Sequence, residues 1–477
     1  MPGSPADPAG GAPARAPEAG PSFREAVRTW AWVGLNSFGG PAGQIAVMHA
    51  LLVERKRWIS ERRFLHALNY CMLLPGPEAQ QLAIYVGWLL HRVRGGLAAG
   101  ILFVLPGFLA VLALSLLYAE CRDLTLVEGL FFGIKPAVLA VVVEAVFRIG
   151  RRAIRSPAAL ALAAMAFAGL FLFAVPFPLV VVGAGIAGLC VGRALPSLFE
   201  PRWGVSPALG AVVGADQGGP APALDAVLDA QVPEHTRPSW ARAGRVLATC
   251  LALWFVPLLL LRLLLGPDSV FVTSGLFFSQ AAVVTFGGAY AVLAYVAQKA
   301  VLTYAWLLPG EMLDGLGLAE TTPGPLILVL EFVGFMAAYR NPGALPPLLA
   351  GTLGALLTTW VTFVPCFLWI FLGAPWIEAL RGVRALTDAL SAITAAVVGV
   401  ILNLALWFAV HTLFGAVWER QAAGMTLLVP DLATIDWPSV ALAAAALLAT
   451  FRWRIGMLPV LGACAAAGAA WALVGAS

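Results

Sequence analysis

Leu74-Pro75-Gly76-Pro77-Glu78-Ala79-Gln80-Gln81-Leu82-Ala83 interrupts an apolar run that extends from 65 to 90. A helix cannot continue through it. Each proline lacks an N–H and disfavours helix at the residue before it, and Gly76 between them accepts positive φ. The run therefore reads as two half-helices joined at a break. The same disruption recurs in Ser37-Phe38-Gly39-Gly40-Pro41 within 26–51, in Thr285-Phe286-Gly287-Gly288 within 270–298, and in Thr321-Thr322-Pro323-Gly324-Pro325 within 316–338. The Thr285–Gly288 break is the weakest, because Ala289 stands where the first break has Pro41.

Lipid is the expected solvent around these runs. Of 477 residues, 61% are hydrophobic and 11% charged, and the mean hydropathy is +0.88. A soluble chain carries about a quarter charged residues, so this one cannot cover itself with a water-compatible surface. Thirteen hydrophobic segments follow, roughly at 26–51, 65–90, 95–118, 127–147, 157–174, 176–195, 244–265, 270–298, 316–338, 344–373, 388–413, 434–451 and 455–474. The class expected is an all-α polytopic membrane protein. The net charge of +4 is too small for a nucleic-acid partner. The six cysteines are scattered and form no C-x-x-C, so neither a disulfide framework nor a metal site is indicated. No Gly-Lys pair occurs, which excludes the phosphate loop of an ATP-driven pump. No cofactor and no catalytic residue are predicted.

The landmarks repeat. Ser37 recurs as Thr285, Pro75 as Pro323 and Trp58 as Trp306, each 248 residues on. Phe103-Val-Leu-Pro106 resembles Thr362-Phe-Val-Pro365, 259 residues on, so the second copy holds about eleven extra residues. Duplicated halves are common in secondary transporters. The organisation expected is a disordered tail over 1–22, a membrane repeat over 23–196, a cytoplasmic linker over 197–242, a linking helix over 243–266 and a second repeat over 267–477. Charge orients the copies. The loop 54–63 carries five cations, whereas 299–314 carries Lys299 with Glu311 and Asp314. Cations favour the cytoplasmic side, so the copies read as inverted. If the four broken runs are re-entrant hairpins, nine crossings remain and the basic loops all face the cytoplasm.

Broken backbone at membrane depth must face protein or a wet cavity. The half-helix that starts after each break offers free N–H groups and a positive dipole end to an anion. The candidate binding residues are accordingly Asn36, Ser37, Phe38, Gly39, Gly40, Pro75, Gly76, Pro77, Gln81, Thr285, Phe286, Gly287, Gly288, Thr322, Pro323, Gly324 and Pro325. Gln44, Gln80 and Thr321 also lie close by. A carboxylate beside an anion repels it unless protonated, which makes Glu78, Glu331 and Glu144 candidate proton-coupling groups; Glu78 can equally cap the helix that follows Pro77. Lys135, inside the run 127–147, can balance a divalent anion, pair with Glu128 or Glu144, or reach the interface.

These motifs resemble the chromate ion transporter (CHR) family in its long, two-domain form. The likeness rests on Ser37–Pro41, Trp58, Leu74–Ala83, Phe103–Pro106, Thr285–Gly288 and Thr321–Leu328 with Phe332-Val-Gly334, and spans about 23–175 and 270–413. It implies two halves of opposite orientation and export of chromate across a bacterial inner membrane, with sulfate as a similar competitor. Glu331, often glutamine in that family, and Ala289, commonly glycine, depart from its pattern. Sulfate or another oxyanion as substrate, a passive anion channel and an intramembrane enzyme are the rivals; no convergent nucleophile–base pair supports the last. The partners expected are a chromate- or sulfate-like oxyanion, membrane lipid and a second copy of the chain.

Overall fold

The computed structural model describes residues 20–194, 234–286, 288–308, 310–376, 384–422 and 425–475. The tail, linker residues 197–233 and Gly287 lie outside them. In chain order the helices are α1 (Phe23–Leu35), α2 (Gly40–His49), α3 (Glu61–Cys71), α4 (Glu78–Cys121), α5 (Thr125–Ala153), α6 (Pro157–Phe171), α7 (Phe177–Ala194) and α8 (Trp240–Leu265). They continue as α9 (Val270–Val284), α10 (Ala289–Gln298), α11 (Glu311–Thr321), α12 (Val329–Arg340), α13 (Pro347–Gly373) and α14 (Arg384–Leu413). Strands β1 (Val417–Ala422) and β2 (Met425–Pro430), then α15 (Trp437–Phe451) and α16 (Met457–Gly475), complete the described chain. The sequence reading, all-α, did not anticipate the antiparallel β1–β2 hairpin.

All four interrupted runs break at the motifs that foretold it. α1 is 13 residues, about 20 Å at 1.5 Å per residue, against a hydrocarbon core of about 30 Å. It stops short of a crossing, and the chain then turns back. Lys56, in the loop after α2, pairs with Glu25 in the first turn of α1 at 2.8 Å. α3 and the first arm of α4 repeat the manoeuvre. The α4 arm ends at a sharp elbow, where Arg92 has φ 54°. There His91 Nε2 lies 2.9 Å from the carbonyl of Pro21, just before α1. The start of α1, the 54–63 loop and the elbow thus share one face, which carries Arg24, Arg28 and Arg92 and is called the basic face below. The second arm of α4 leads to the other face, where Arg122 meets Glu311.

The second half repeats this geometry upside down. In both, the second helix widens into a π-helical stretch, Ala50–Arg55 and Lys299–Thr303. Trp58 N donates to the carbonyl of Leu52 at 2.8 Å, and Trp306 N to that of Ala300 at 2.8 Å. Arg57 and Ala305 both take positive φ, 51° and 50°. Each pair is 248 residues apart. Yet the Trp306 turn lies on the face opposite the Trp58 turn, because Arg340 bonds both the carbonyl of Trp306 and the carboxylate of Glu311. The repeats are inverted, and α8, running from Trp240 beside Trp376, makes the odd crossing between them. The extra residues of the second copy lie at the elbow: 341–346 separates α12 from α13, whereas α4 turns at His91–Arg92.

Among the described residues, six helices are long and apolar enough to cross, within α4, α5, α8, α13, α14 and α16. The segments expected at 157–174, 176–195 and 434–451 form α6, α7 and α15, of 15, 18 and 15 residues. α6 and α15 start late, on Pro157 and beside Pro438, and each has 15 residues. They do not stand alone in lipid but pack crosswise on the other half. α15 and α16 lie along α5, and α6 and α7 along α14. Glycines set the approach: a Cβ on Gly133 would sit 1.9 Å from the carbonyl oxygen of Cys464, and one on Gly399 2.1 Å from that of Ala163.

Sidedness has a direct test. A membrane-impermeant thiol reagent is expected to label Leu308→Cys in intact cells and Arg55→Cys only after permeabilisation. Labelling of both in intact cells, or of both only after permeabilisation, would place the two loops on the same side.

Candidate functional site

The four breaks meet. Gly76 N donates to the carbonyl of Thr285 at 2.8 Å, and Gly324 N donates to the carbonyl of Ser37 at 2.8 Å. Residues 37 and 285, like 76 and 324, are repeat mates, so the exchange is pseudo-two-fold. Gly76 (φ 118°) and Gly324 (φ 101°) both need a backbone conformation that L side chains rarely adopt. α4 and α13 wall the junction at equivalent points: Gly107 against Pro323 and Gly324, and Cys366 against Gly76.

Side chains near the breaks mostly satisfy backbone carbonyls that lost their helical donors. Ser37 Oγ donates to Val33 O at 2.6 Å and Thr285 Oγ1 to Ala281 O at 2.6 Å. Asn36 bonds Trp32 O and Thr322 bonds Ala319 O. Gln81 Nε2 donates to Pro75 O at 2.7 Å, and Gln44 reaches across the halves to Gly324 O. The amides at the first turns of α2, α4 and α10 have no acceptor within their own helices, as at any helix start. That leaves the N–H groups, and not the hydroxyls, as the donors on offer. Ser37, Gly76, Thr285, Thr322 and Gly324 are buried, Phe286 and Gly288 half-buried, and Asn36, Phe38 and Gly39 exposed.

The acids separate into distinct surroundings. Glu331 is 1% exposed, and neither carboxylate oxygen has a partner among the described residues. Glu78, half-exposed in the first turn of α4, feels Arg152 as its charged neighbour. Glu144 pairs with Arg148 one turn on, at 3.4 Å. Lys135 does not approach the junction. Its Nζ lies 3.6 Å from Asp314 Oδ1 and beside Gly310, towards the face opposite the basic one. It pairs with neither Glu128 nor Glu144, because α11 brings a closer carboxylate.

Sequence reasoning missed two features. Glu320, two residues before the Thr322–Pro325 break, is 3% exposed and accepts a hydrogen bond from Tyr290, in the first turn of α10. Arg148 and Glu144 are the charged groups that act on this pair. Arg148 and Arg152, read from sequence only as basic-loop residues, are thus the cations nearest the acids flanking the breaks. The i, i+4 spacing on α5 puts both one turn apart, but nothing in a one-dimensional reading aims them at α10 and α11.

Inverted repeats whose interrupted helices converge on one buried junction define a membrane protein of the secondary-transporter class. The comparison with known proteins makes that specific. Residues 24–189 and 272–469 match the family model described as Chromate transporter, and the chain belongs to the chromate transporter family. A chromate transport protein of Pseudomonas aeruginosa is 32% identical over 375 residues, 77% of this chain and 76% of its own. Another from Cupriavidus metallidurans is 27% identical over 383 residues, covering 80% and 81%. A probable chromate transport protein of Synechococcus elongatus is 24% identical over 380 residues, covering 80% and 83%. No solved structure matches the chain.

Proposed function

We propose that this protein exports chromate across a bacterial inner membrane by alternating access and so confers chromate resistance. The reciprocal Gly76–Thr285 and Gly324–Ser37 hydrogen bonds carry the reading. They hold four half-helix ends together at one buried place, and such ends favour an anion through their amides and dipoles. The names of the relatives supply the substrate. Oxyanion approaches from the basic face, drawn by Arg148 and Arg152. It is then held by the free first-turn N–H groups of the half-helices that begin after Gly39, Pro77, Gly288 and Pro325, and leaves when the repeats rock. An interior-negative potential drives a dianion outward by about 2.3 kcal/mol per charge per 100 mV.

Protons move with the anion in this reading. A dianion entering beside buried carboxylates is tolerated only when those groups are protonated. Glu331, Glu78 and Glu144 are the acids proposed for that role, together with Glu320, which accepts a hydrogen bond from Tyr290.

Inside-out vesicles test both parts. Labelled chromate is expected to accumulate under an imposed electrical gradient and to accumulate further when the medium outside the vesicles is the more acidic. Sulfate should compete weakly. Glu331→Gln and Glu320→Gln should lose the pH-driven increment, several-fold, and keep the electrical one. Sulfate accumulation exceeding that of chromate would replace the substrate. Equilibration without accumulation under any gradient would make the protein a passive channel.

A further inference from the structure

We infer that the Tyr290 hydroxyl is a ligand of the transported oxyanion, and that Glu320 is a tethered anion holding that place until the substrate displaces it. The inference rests on the transport reading above and narrows it to the start of α10. Tyr290 is the second residue of α10 and is buried. Side chains on a helix lean towards its N-terminus. The ring therefore reaches back to the end where the first amides of α10 have no acceptor in their own helix. There its hydroxyl donates to Glu320 Oε1 at 2.5 Å. A phenol has one proton to donate, so it serves Glu320 or an arriving anion, never both.

Glu320 stands in the last turn of α11, at the negative end of that helix's dipole. Its carboxylate is thus disfavoured by the helix that carries it. The favourable field comes from elsewhere: the positive end of α10, the Tyr290 hydroxyl and the guanidinium of Arg148, whose charge acts on both residues. Those are the features that suit a small oxyanion. The other charges on the elements packed against α11 are engaged elsewhere. From α5, Glu144 pairs with Arg148 and Lys135 with Asp314. Tyr118 and Arg122 of α4 and Arg340 of α12 meet Asp314 and Glu311 towards the far end of α11. Glu331, on α12, feels no charged neighbour, and α16 carries no charged residue.

The first repeat is the internal contrast. Ala42 and Met72 stand 248 residues before Tyr290 and Glu320. α14 begins 259 residues after α5, which sets Trp407 in the place of Arg148. The first repeat keeps the broken helices yet has no hydroxyl, carboxylate or cation at these three positions. The trio is therefore not a requirement of the fold.

Initial rates of labelled chromate entry into inside-out vesicles, at one fixed potential and equal pH on both sides, test this. Glu320→Gln removes the competing charge. The ratio of wild-type KM to Glu320→Gln KM cancels any titration of the substrate itself. It should rise at least about fivefold from about pH 6 to about pH 8, because a carboxylate that must be protonated before the anion binds raises KM by up to about tenfold per pH unit. Tyr290→Phe should raise KM about tenfold, the worth of one hydrogen bond to a charged group. It should do so in the Glu320→Gln background as well. A hydroxyl that only holds Glu320 in place would have no effect there, and a purely structural one would lower the amount of protein and leave KM alone. A ratio flat with pH, or equal KM values for Glu320→Gln with and without Tyr290→Phe, would overturn the inference. Should Tyr290→Phe not reach the membrane, the KM ratio still decides. Wild type that prefers sulfate changes the substrate of the transport reading only, and the same comparisons then run on labelled sulfate.

Discussion

Gly76→Leu is expected to reduce chromate accumulation in inside-out vesicles by at least roughly tenfold, about 1.4 kcal/mol of barrier, at equal protein in the membrane. Two costs combine. The backbone at 76 sits at φ 118°, a region that costs a non-glycine residue on the order of 1–2 kcal/mol. The new Cβ would also sit 2.9 Å from Gln81 Nε2 and 3.0 Å from Cys366 Sγ. Relief by backbone movement breaks the bond from Gly76 N to Thr285 O, and with it one of the two links that hold the breaks of opposite repeats together. Gly324→Leu should do the same through the bond to Ser37. Gly462→Leu is the control, because a Cβ there meets nothing within 4 Å. Wild-type accumulation by Gly76→Leu would remove the junction from the transport path.

Glu311→Gln is expected to give the largest loss of stability, about 3 kcal/mol, the lower end of the range for breaking a buried ion pair. Glu311 is 3% exposed. It accepts hydrogen bonds from Arg340 Nη1 and Nη2, both at 2.7 Å, and from Arg122, while Leu308 N donates to it at 2.7 Å. Arg122 and Arg340 remain about one-third and one-quarter exposed, which screens the pair and sets the effect at that lower end. Burial pushes the carboxyl's pKa up, but the Arg340 and Leu308 hydrogen bonds and the two guanidinium charges outweigh it and hold the group below its usual range. A depressed carboxyl stabilises the fold above its unfolded value. That contribution is lost as pH falls through the lowered value. The melting temperature of detergent-solubilised wild type should therefore fall on acidification below about pH 4.5, the ordinary value for a glutamate, and that of Glu311→Gln should fall less. Equal melting temperatures at neutral pH would show the cluster to be a surface ornament.

What the sequence disclosed is what backbone chemistry writes locally. Pro75-Gly76-Pro77 and Pro323-Gly324-Pro325 cannot be helical in any surroundings, so the breaks and their 248-residue spacing were legible. The cationic bias of 54–63 over 299–314 likewise foretold that the two Trp turns lie on opposite faces. Pairings between distant elements were not legible. Glu320 closes an apolar helix and Tyr290 opens another, and neither has a local partner; only the packing of α10 against the end of α11 joins them. Lys135 shows the same limit from the other side. Its neighbours along α5 offered Glu128 and Glu144, while the carboxylate it meets, Asp314, comes from the other repeat. The β1–β2 hairpin lay between two apolar segments in a stretch whose strands are short and half polar.

The crosswise seating of α6–α7 on α14 and of α15–α16 on α5 means that neither half is self-sufficient. A polypeptide carrying one such half would leave a long helix undressed along one side and the carbonyl at its first break without a donor. Both defects vanish if a second molecule inserts upside down beside it. The fused chain thus reads as a dual-topology dimer made permanent: α8 performs the flip that two separate copies would otherwise have to achieve by entering the membrane in opposite senses.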